Sequence, residues 1–175
     1  MSISINFKLT QAGQAAIWNA GNTGVSLNLT HVQLGSGNKA PIDGLETALI
    51  SPQQAVAIAG GSRVGNNQIR MSAIFTGTTS FNIAEVGLWA GVPNGSGSVL
   101  VAYWSQAAGN LAVKSSGVDF VFSHDMYLNG SVPAGSITIL ADQTQSGMLA
   151  ALANHEAKTD PHPQYTTDAE VIALI

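Results

Sequence analysis

Ser123, His124 and Asp125 stand side by side, and these three residue types act as nucleophile, base and orienting acid when they converge in space. Adjacency works against that convergence here. The flanking residues alternate as in a β-strand, so successive side chains point to opposite faces and Ser123 and Asp125 turn away from His124. The chain has no GxSxG elbow to supply another nucleophile, and no P-loop, GxGxxG or HExxH pattern. The trio is therefore expected to be structural. Glu85 lies alone among apolar residues, where a carboxylate either acts as an acid of raised pKa or is held by a base or by backbone donors. No second titratable group neighbours it in sequence, which favours the structural role. The four histidines, His31, His124, His155 and His162, lack metal-ligand spacing within one chain. In a threefold assembly, three copies of His155 or His162 would meet on an axis, to bind a metal ion or simply to hydrogen-bond. Neither a metal nor a cofactor is assigned. Trp18, Trp89 and Trp104 are suited to stacking on sugars or to core packing; the apolar company of Trp89 and Trp104 favours the core. Asn28-Leu29-Thr30, Asn94-Gly95-Ser96 and Asn129-Gly130-Ser131 match the glycosylation sequon and are read as chance matches.

The elements that must position these residues follow from periodicity. Thr10 caps a short helix expected over Gln11 to Asn19, with Ala12, Ala15, Ala16 and Ile17 as its apolar side and Gly21 as its stop. Val25, Leu27 and Leu29 alternate with polar residues, and the pattern predicts one strand running on through Leu34 to a break at Gly35-Ser36-Gly37-Asn38. Lys39 to Pro52 reads as a loop with at most one helical turn. Gln54 to Ala59 is the expected strand that forms a hairpin with Ile69 to Phe75, across turn clusters at Gly60-Gly61 and Gly65-Asn66-Asn67. A further strand is expected over Phe81 to Trp89, and the turn Gly91 to Gly97 joins it to Val99 to Trp104, apolar on both faces. From Val118 onward, Val118, Phe120, Phe122, Met126 and Leu128 share one face, opposite Asp119, Ser123, Asp125 and Tyr127. Ile137 and Ile139 close the β region.

At Ala141-Asp142-Gln143 the composition changes. Thr144 to Lys158 favours helix, with Met148, Leu152 and His155 at spacings of four and three as in a short coiled-coil stripe, ended by Pro161 and Pro163. A second helix is expected to begin at Thr167-Asp168-Ala169-Glu170, and the chain is expected either to continue beyond Ile175 or to be held there by a neighbour. The expected class is thus mainly β (α+β). An antiparallel sheet or sandwich head over residues 1–141 carries a short N-terminal helix. C-terminal helical segments follow as a trimeric stem: an oligomerisation segment over 142–160, then a Pro-containing turn and the start of a further helix or shaft over 161–175.

Composition narrows the function. Only 9% of residues are charged, against about 25% in an average soluble domain. A surface so uncharged is either buried against partner chains or coated with neutral polar side chains. With four Lys, two Arg and a net charge of -4, no basic patch can form to displace counterions, so nucleic acid is an improbable ligand. The longest apolar run, Val99 to Trp104, is far short of the roughly 20 residues that span a bilayer. The first residues lack the pattern of a secretory signal, which points to synthesis in the cytoplasm. Cysteine is absent, so stability must come from packing or oligomerisation.

Six blocks taken in order resemble the phage tail-collar fibre protein family: Leu9-Thr10-Gln11-Ala12-Gly13, Leu29-Thr30-His31-Val32-Gln33-Leu34-Gly35, Glu46-Thr47-Ala48-Leu49, Ile83-Ala84-Glu85-Val86-Gly87-Leu88-Trp89, Val101-Ala102-Tyr103-Trp104-Ser105 and Lys114-Ser115-Ser116. They cover about residues 1–140. Asp160-Pro161-His162-Pro163-Gln164-Tyr165 is similar to a short element found in tail fibres near the passage from head to shaft. The resemblance implies a virion protein, assembled in the host cytoplasm, whose head docks on baseplate proteins while distal parts reach the bacterial surface. It also implies a homotrimer and structural roles for Thr30, His31, Gly35, Glu85, Gly87, Leu88, Trp89, Trp104 and Lys114; in such a trimer the stripe Met148, Leu152 and His155, with His162, is expected to face the axis. No long repetitive shaft and no receptor tip are visible, which places host recognition in residues beyond Ile175 or in a separate protein. Two other readings compete. One is a carbohydrate-binding module that contacts surface glycan through exposed Trp89, Tyr103 or Trp104. The other is an esterase or depolymerase with Ser123, His124 or Glu85 in a cleft.

Overall fold

A computed structural model describes residues 5–23, 26–63, 68–127 and 137–139. The helical stem expected from the sequence, with Met148, Leu152, His155 and His162, lies outside the described residues, as do Val25 and Leu128. The described part is mainly β, with one short helix and antiparallel sheets. A five-stranded sheet runs in the order β1 (Lys8–Leu9), β9 (Val99–Ser105), β8 (Glu85–Ala90), β3 (His31–Gly35), β4 (Pro52–Ala57). A three-stranded sheet runs β11 (Phe120–Tyr127), β6 (Gln68–Phe75), β5 (Gly60–Arg63). Two small pairs complete the set: β10 (Ala112–Lys114) with β7 (Phe81–Ile83), and β12 (Ile137–Ile139) with β2 (Leu27–Leu29). The last pair is parallel, an exception to the antiparallel expectation.

Alternation decides which side chains enter the core. Along β6, Ile69, Met71, Ala73 and Phe75 are buried while Arg70 is exposed, as a strand with one covered face requires. They share one apolar cluster with Val32, Leu34, Val86, Leu88 and Trp104 of the five-stranded sheet and with Phe122 and Met126 of β11. On the other face of the five-stranded sheet a smaller cluster forms from Leu49, Trp89, Leu100 and Tyr103, with Ile42 packed on it. Val99 to Trp104 is covered on both faces, and the Gly91–Ser98 turn joins antiparallel β8 and β9 as the sequence predicts. Val118 departs from the predicted stripe: it is exposed in the turn before β11.

The helix α1 spans Gln11–Thr23, passing the expected stop at Gly21; the Thr23 hydroxyl donates to the carbonyls of Asn19 (3.0 Å) and Ala20 (3.1 Å) at its end. Thr10 caps the other end, its Oγ1 accepting the Gly13 N–H at 2.9 Å and donating to the Leu100 carbonyl. Its buried positions are Gly13 and Ile17, whereas Ala12 and Ala15 are exposed. Contact distance explains the shift of face. A Cβ on Gly13 would lie 2.3 Å from the Val101 carbonyl oxygen, so only glycine lets the helix lie this close to β9.

Two predicted strands are each two in the structure. The alternation through Val25 to Leu34 is interrupted at Thr30, where the chain leaves β2 for the five-stranded sheet; Thr30 Oγ1 accepts the Gly91 N–H at 2.9 Å and its own N–H donates to the Trp89 carbonyl at 2.9 Å. Likewise Phe81 to Trp89 divides at Ala84, whose N–H donates to Gly35 and whose carbonyl accepts from Gln106. The predicted hairpin is also re-paired. Strand β4 lies on β3, and the partner of β6 is β5, which contains Gly60 and Gly61. These glycines form strand where turn was expected, paired with Ser72 and Met71 of β6, and the Ile139 side chain lies 2.5 Å from where a Gly61 Cβ would be. The Lys39 to Pro52 loop holds no helical turn.

Candidate functional site

Glu85 opens β8, and its carboxylate is fully buried. Oε1 accepts the N–H groups of Gly37 (3.0 Å) and Ser51 (2.7 Å), and Oε2 accepts the Ile50 N–H (2.9 Å) and the Tyr103 hydroxyl (2.7 Å). Four donors thus satisfy one carboxylate, the arrangement that a buried charge needs in place of water. Gly35 and Gly37 make room for it: a Cβ on either would fall within 2.7 Å of Glu85 side-chain atoms. Burial, and next the Glu85 acceptor, hold the Tyr103 phenol well above its ordinary pKa. The carboxylate therefore ties β8, β9 and both ends of the β3–β4 loop into one node. It does not open to solvent, so it has no room for a substrate.

Two more buried charges work in the same way. Lys114, also fully buried, donates from Nζ to the carbonyls of Gly77 (2.8 Å), Ser115 (3.1 Å) and Val118 (3.3 Å), closing the turns beside β10. Glu46 accepts the N–H groups of Asp43 (3.2 Å) and Gly44 (2.9 Å) and pairs with Lys39 at 2.6 Å, which folds the loop that covers Leu49 and Trp89. That loop reaches α1 through the Gly44 carbonyl, which accepts the Gln11 N–H at 2.7 Å. The hydrogen bond to Glu46 raises the Lys39 pKa, and the Leu45 N–H lowers that of Asp43.

The structure separates the Ser-His-Asp trio as the alternation predicts. Asp125 takes a bidentate pair from Arg70, both bonds 2.8 Å, with Gln68 at 2.9 Å. Arg70 first of all lowers the Asp125 pKa. The His124 ring instead packs between Phe7 (centroids 5.1 Å apart) and Phe122 (6.1 Å), and burial lowers its pKa. Ser123 is exposed. His31 is half-buried, with Nδ1 2.9 Å from Thr30 Oγ1, and burial lowers its pKa as well. Among the described residues no group of His, Cys, Asp and Glu side chains is placed to hold a metal ion.

Trp89, Tyr103 and Trp104 are buried, so they cannot serve as the exposed sugar platforms that one sequence reading required. Trp18, by contrast, is 59% exposed on α1. Sequence reasoning missed Tyr103 as the partner of Glu85, because the two meet only through the β8–β9 pairing. It also missed a pocket of about 250 Å³ between Ile5, Asn6 and Phe7 and the end of β11, from His124 to Tyr127. Charge is unevenly divided as well: residues 1–141 hold five basic and five acidic side chains, and residues 142–175 one and five, so the net -4 belongs to the second stretch. No family model, curated protein or solved structure matches the chain.

Proposed function

We propose that this chain is the amino-terminal attachment module of a bacteriophage tail fibre, of the tail-collar fibre type, and a structural protein of the virion. One observation carries the reading. The two blocks most specific to the resemblance, Leu29 to Gly35 and Ile83 to Trp89, lie far apart in sequence yet pair as neighbouring strands, His31 opposite Trp89 and Gly35 opposite Glu85. The residues that make up the blocks have reasons to occur together: Glu85 needs Gly35 beside it, and Thr30 bonds to the backbone of Trp89 and Gly91. A motif whose parts interlock in this way is harder to match by chance than separate short strings.

The charge distribution also suits an attachment role. Residues 1–141 are neutral overall, and Arg70 pairs with Asp125, Lys39 with Asp43 and Glu46, while Glu85 and Lys114 are buried. Docking through such a surface relies on shape and neutral hydrogen bonds, which salt hardly screens. In this reading the chain is a homotrimer assembled in the host cytoplasm, with residues 142–175 as the helical stem and Met148, Leu152, His155 and His162 toward the axis. Its head grips baseplate proteins, and the distal fibre or a bacterial surface glycan lies beyond. Mixing the full chain with purified baseplates and sedimenting them tests the reading: co-sedimentation in multiples of three supports it, and a monomer that stays in the supernatant rejects it.

A further inference from the structure

We propose that the outward face of α1, centred on Ala15 and Trp18, is a contact surface for α1 of a second copy of this chain. The burial pattern of the helix itself fixes which face that is. Gly13 and Ile17 are buried, and at about 100° per residue Ala15 falls opposite them, with Trp18 on one side of it and Ala12 on the other. All three are exposed, Trp18 to 59%. An indole left in water forgoes a large gain in burial, and Trp is the type most enriched where protein surfaces meet. The mounting is firm. Thr10 caps the helix and Gly13 sets it directly on the Val101 backbone, so the face is presented ready formed.

The chemistry of the face selects its partner. Gln11–Thr23 contains no charged residue, so neither an acidic nor a basic surface gains by docking there. A bilayer is disfavoured for the same reason, because helices that lie in the membrane interface carry Lys and Arg on their polar side. Small ligands favour concave sites, whereas this Trp stands on the convex side of a helix. What fits is another uncharged surface with little bulk at its centre, and α1 is itself such a surface. Ala15 places only a methyl group at the crest, so two such helices can approach to about 8 Å between axes, each Trp18 lying alongside the other helix. Gln11, Gln14 and Asn19, exposed around them, supply neutral hydrogen-bonding groups for the rim. A helix of 13 residues offers a face about 20 Å long and about 10 Å wide, thus about 400 Å² over both copies. That is below the roughly 1,200 Å² of stable interfaces, which makes the contact weak and concentration-dependent. It stands apart from the fibre assignment, in which self-association lies in residues 142–175.

Cross-linking of the full chain tests the contact. The chain has no cysteine, so in an Ala15→Cys variant every disulfide joins two copies through residue 15. Oxidised over a series from about 10 µM to about 1 mM, Ala15→Cys should form covalent dimers faster than Ser123→Cys, whose exposed place on β11 measures random collision. Adding Trp18→Lys should slow the reaction at residue 15 at least about tenfold and leave that at residue 123 unchanged. Equal rates at the two positions, or a rate at residue 15 untouched by Trp18→Lys, would overturn the proposal. So would a Trp18→Lys chain that cross-links as before yet no longer co-sediments with baseplates, which would give the face to a baseplate protein.

Discussion

Replacing Glu85 by Gln probes the node that joins β8, β9 and the two ends of the β3–β4 loop, at Gly37 and at Ile50–Ser51. Each carboxylate oxygen accepts two hydrogen bonds, so an amide in the same place can serve only one pair of donors with its oxygen. The better orientation keeps the carbonyl on Gly37 and Ser51 and turns the NH2 toward Ile50 and Tyr103. The Tyr103 hydroxyl can rotate to accept, but the Ile50 N–H cannot, so a buried donor faces a donor. Losing one charge-assisted bond, weakening three others and stranding one N–H adds up to about 3–5 kcal/mol. Tyr103→Phe removes a single bond to the charge and should cost about 1.5–3 kcal/mol. The two changes share a partner, so the double variant should lose less than the sum, with a coupling of about 1 kcal/mol or more. Urea denaturation of the four proteins measures these values, and amide exchange should quicken first at Gly37, Ile50 and Ser51. A loss below about 1 kcal/mol for Glu85→Gln, or strict additivity with Tyr103→Phe, would refute the reasoning.

Other expectations follow from the same geometry. Lys114→Met strands the carbonyls of Gly77, Ser115 and Val118 and should lower stability by about 3 kcal/mol in the same urea assay. Gly13→Ala gains up to about 1 kcal/mol of helix propensity but drives a Cβ into Val101; overpacking of about 1–3 kcal/mol should make the melting temperature fall. Burial lowers the pKa of His31 and His124 below 6.5, so as pH drops through 6.5 the unfolded chain takes up protons that the native one refuses. Stability should thus be full above pH 6.5 and decline below it until the lowered pKa values are passed, and His124→Phe should flatten part of that slope in urea titrations run across the range. In the proposed attachment reading, binding to baseplates should change less than about threefold between low and physiological salt, because residues 1–141 offer few unpaired charges to screen.

The class of the fold was readable because apolar patterning is a local property: β6 and the inward face of β11 appear where apolar residues recur at every second position, and β9 where they run on without a break. Pairing is not local. The apolar residues shift from odd to even positions between Leu29 and Val32, which marks where the chain leaves β2 at Thr30, but nothing in that shift names the strands it pairs with next. Gly60 and Gly61 read as turn because glycine permits turns, whereas in the fold they pair with β6, and the Ile139 side chain fills the space that a Gly61 Cβ would need. The helix face failed for a related reason. Periodicity counts the Ala methyl groups, but the short distance to Val101 made the residue without a methyl, Gly13, the contact point.

The site divides along the same line. The isolation of Glu85 in an apolar strand already called for backbone or basic partners, whereas the identity of Tyr103 and of the β3–β4 loop depended on register. The dispersal of Ser123, His124 and Asp125 followed from strand geometry alone, and the fold adds that Arg70 and Phe7 are what occupy Asp125 and His124. The pocket beside Tyr127 left no trace in the sequence, because its two walls come from opposite ends of the head.

Labelling intact phage particles with an antibody against this chain, and imaging them, tests the attachment reading most directly. The account predicts label at the junction of baseplate and fibre, with threefold density there. Label on the capsid, along the tail tube or on no particle at all would contradict it.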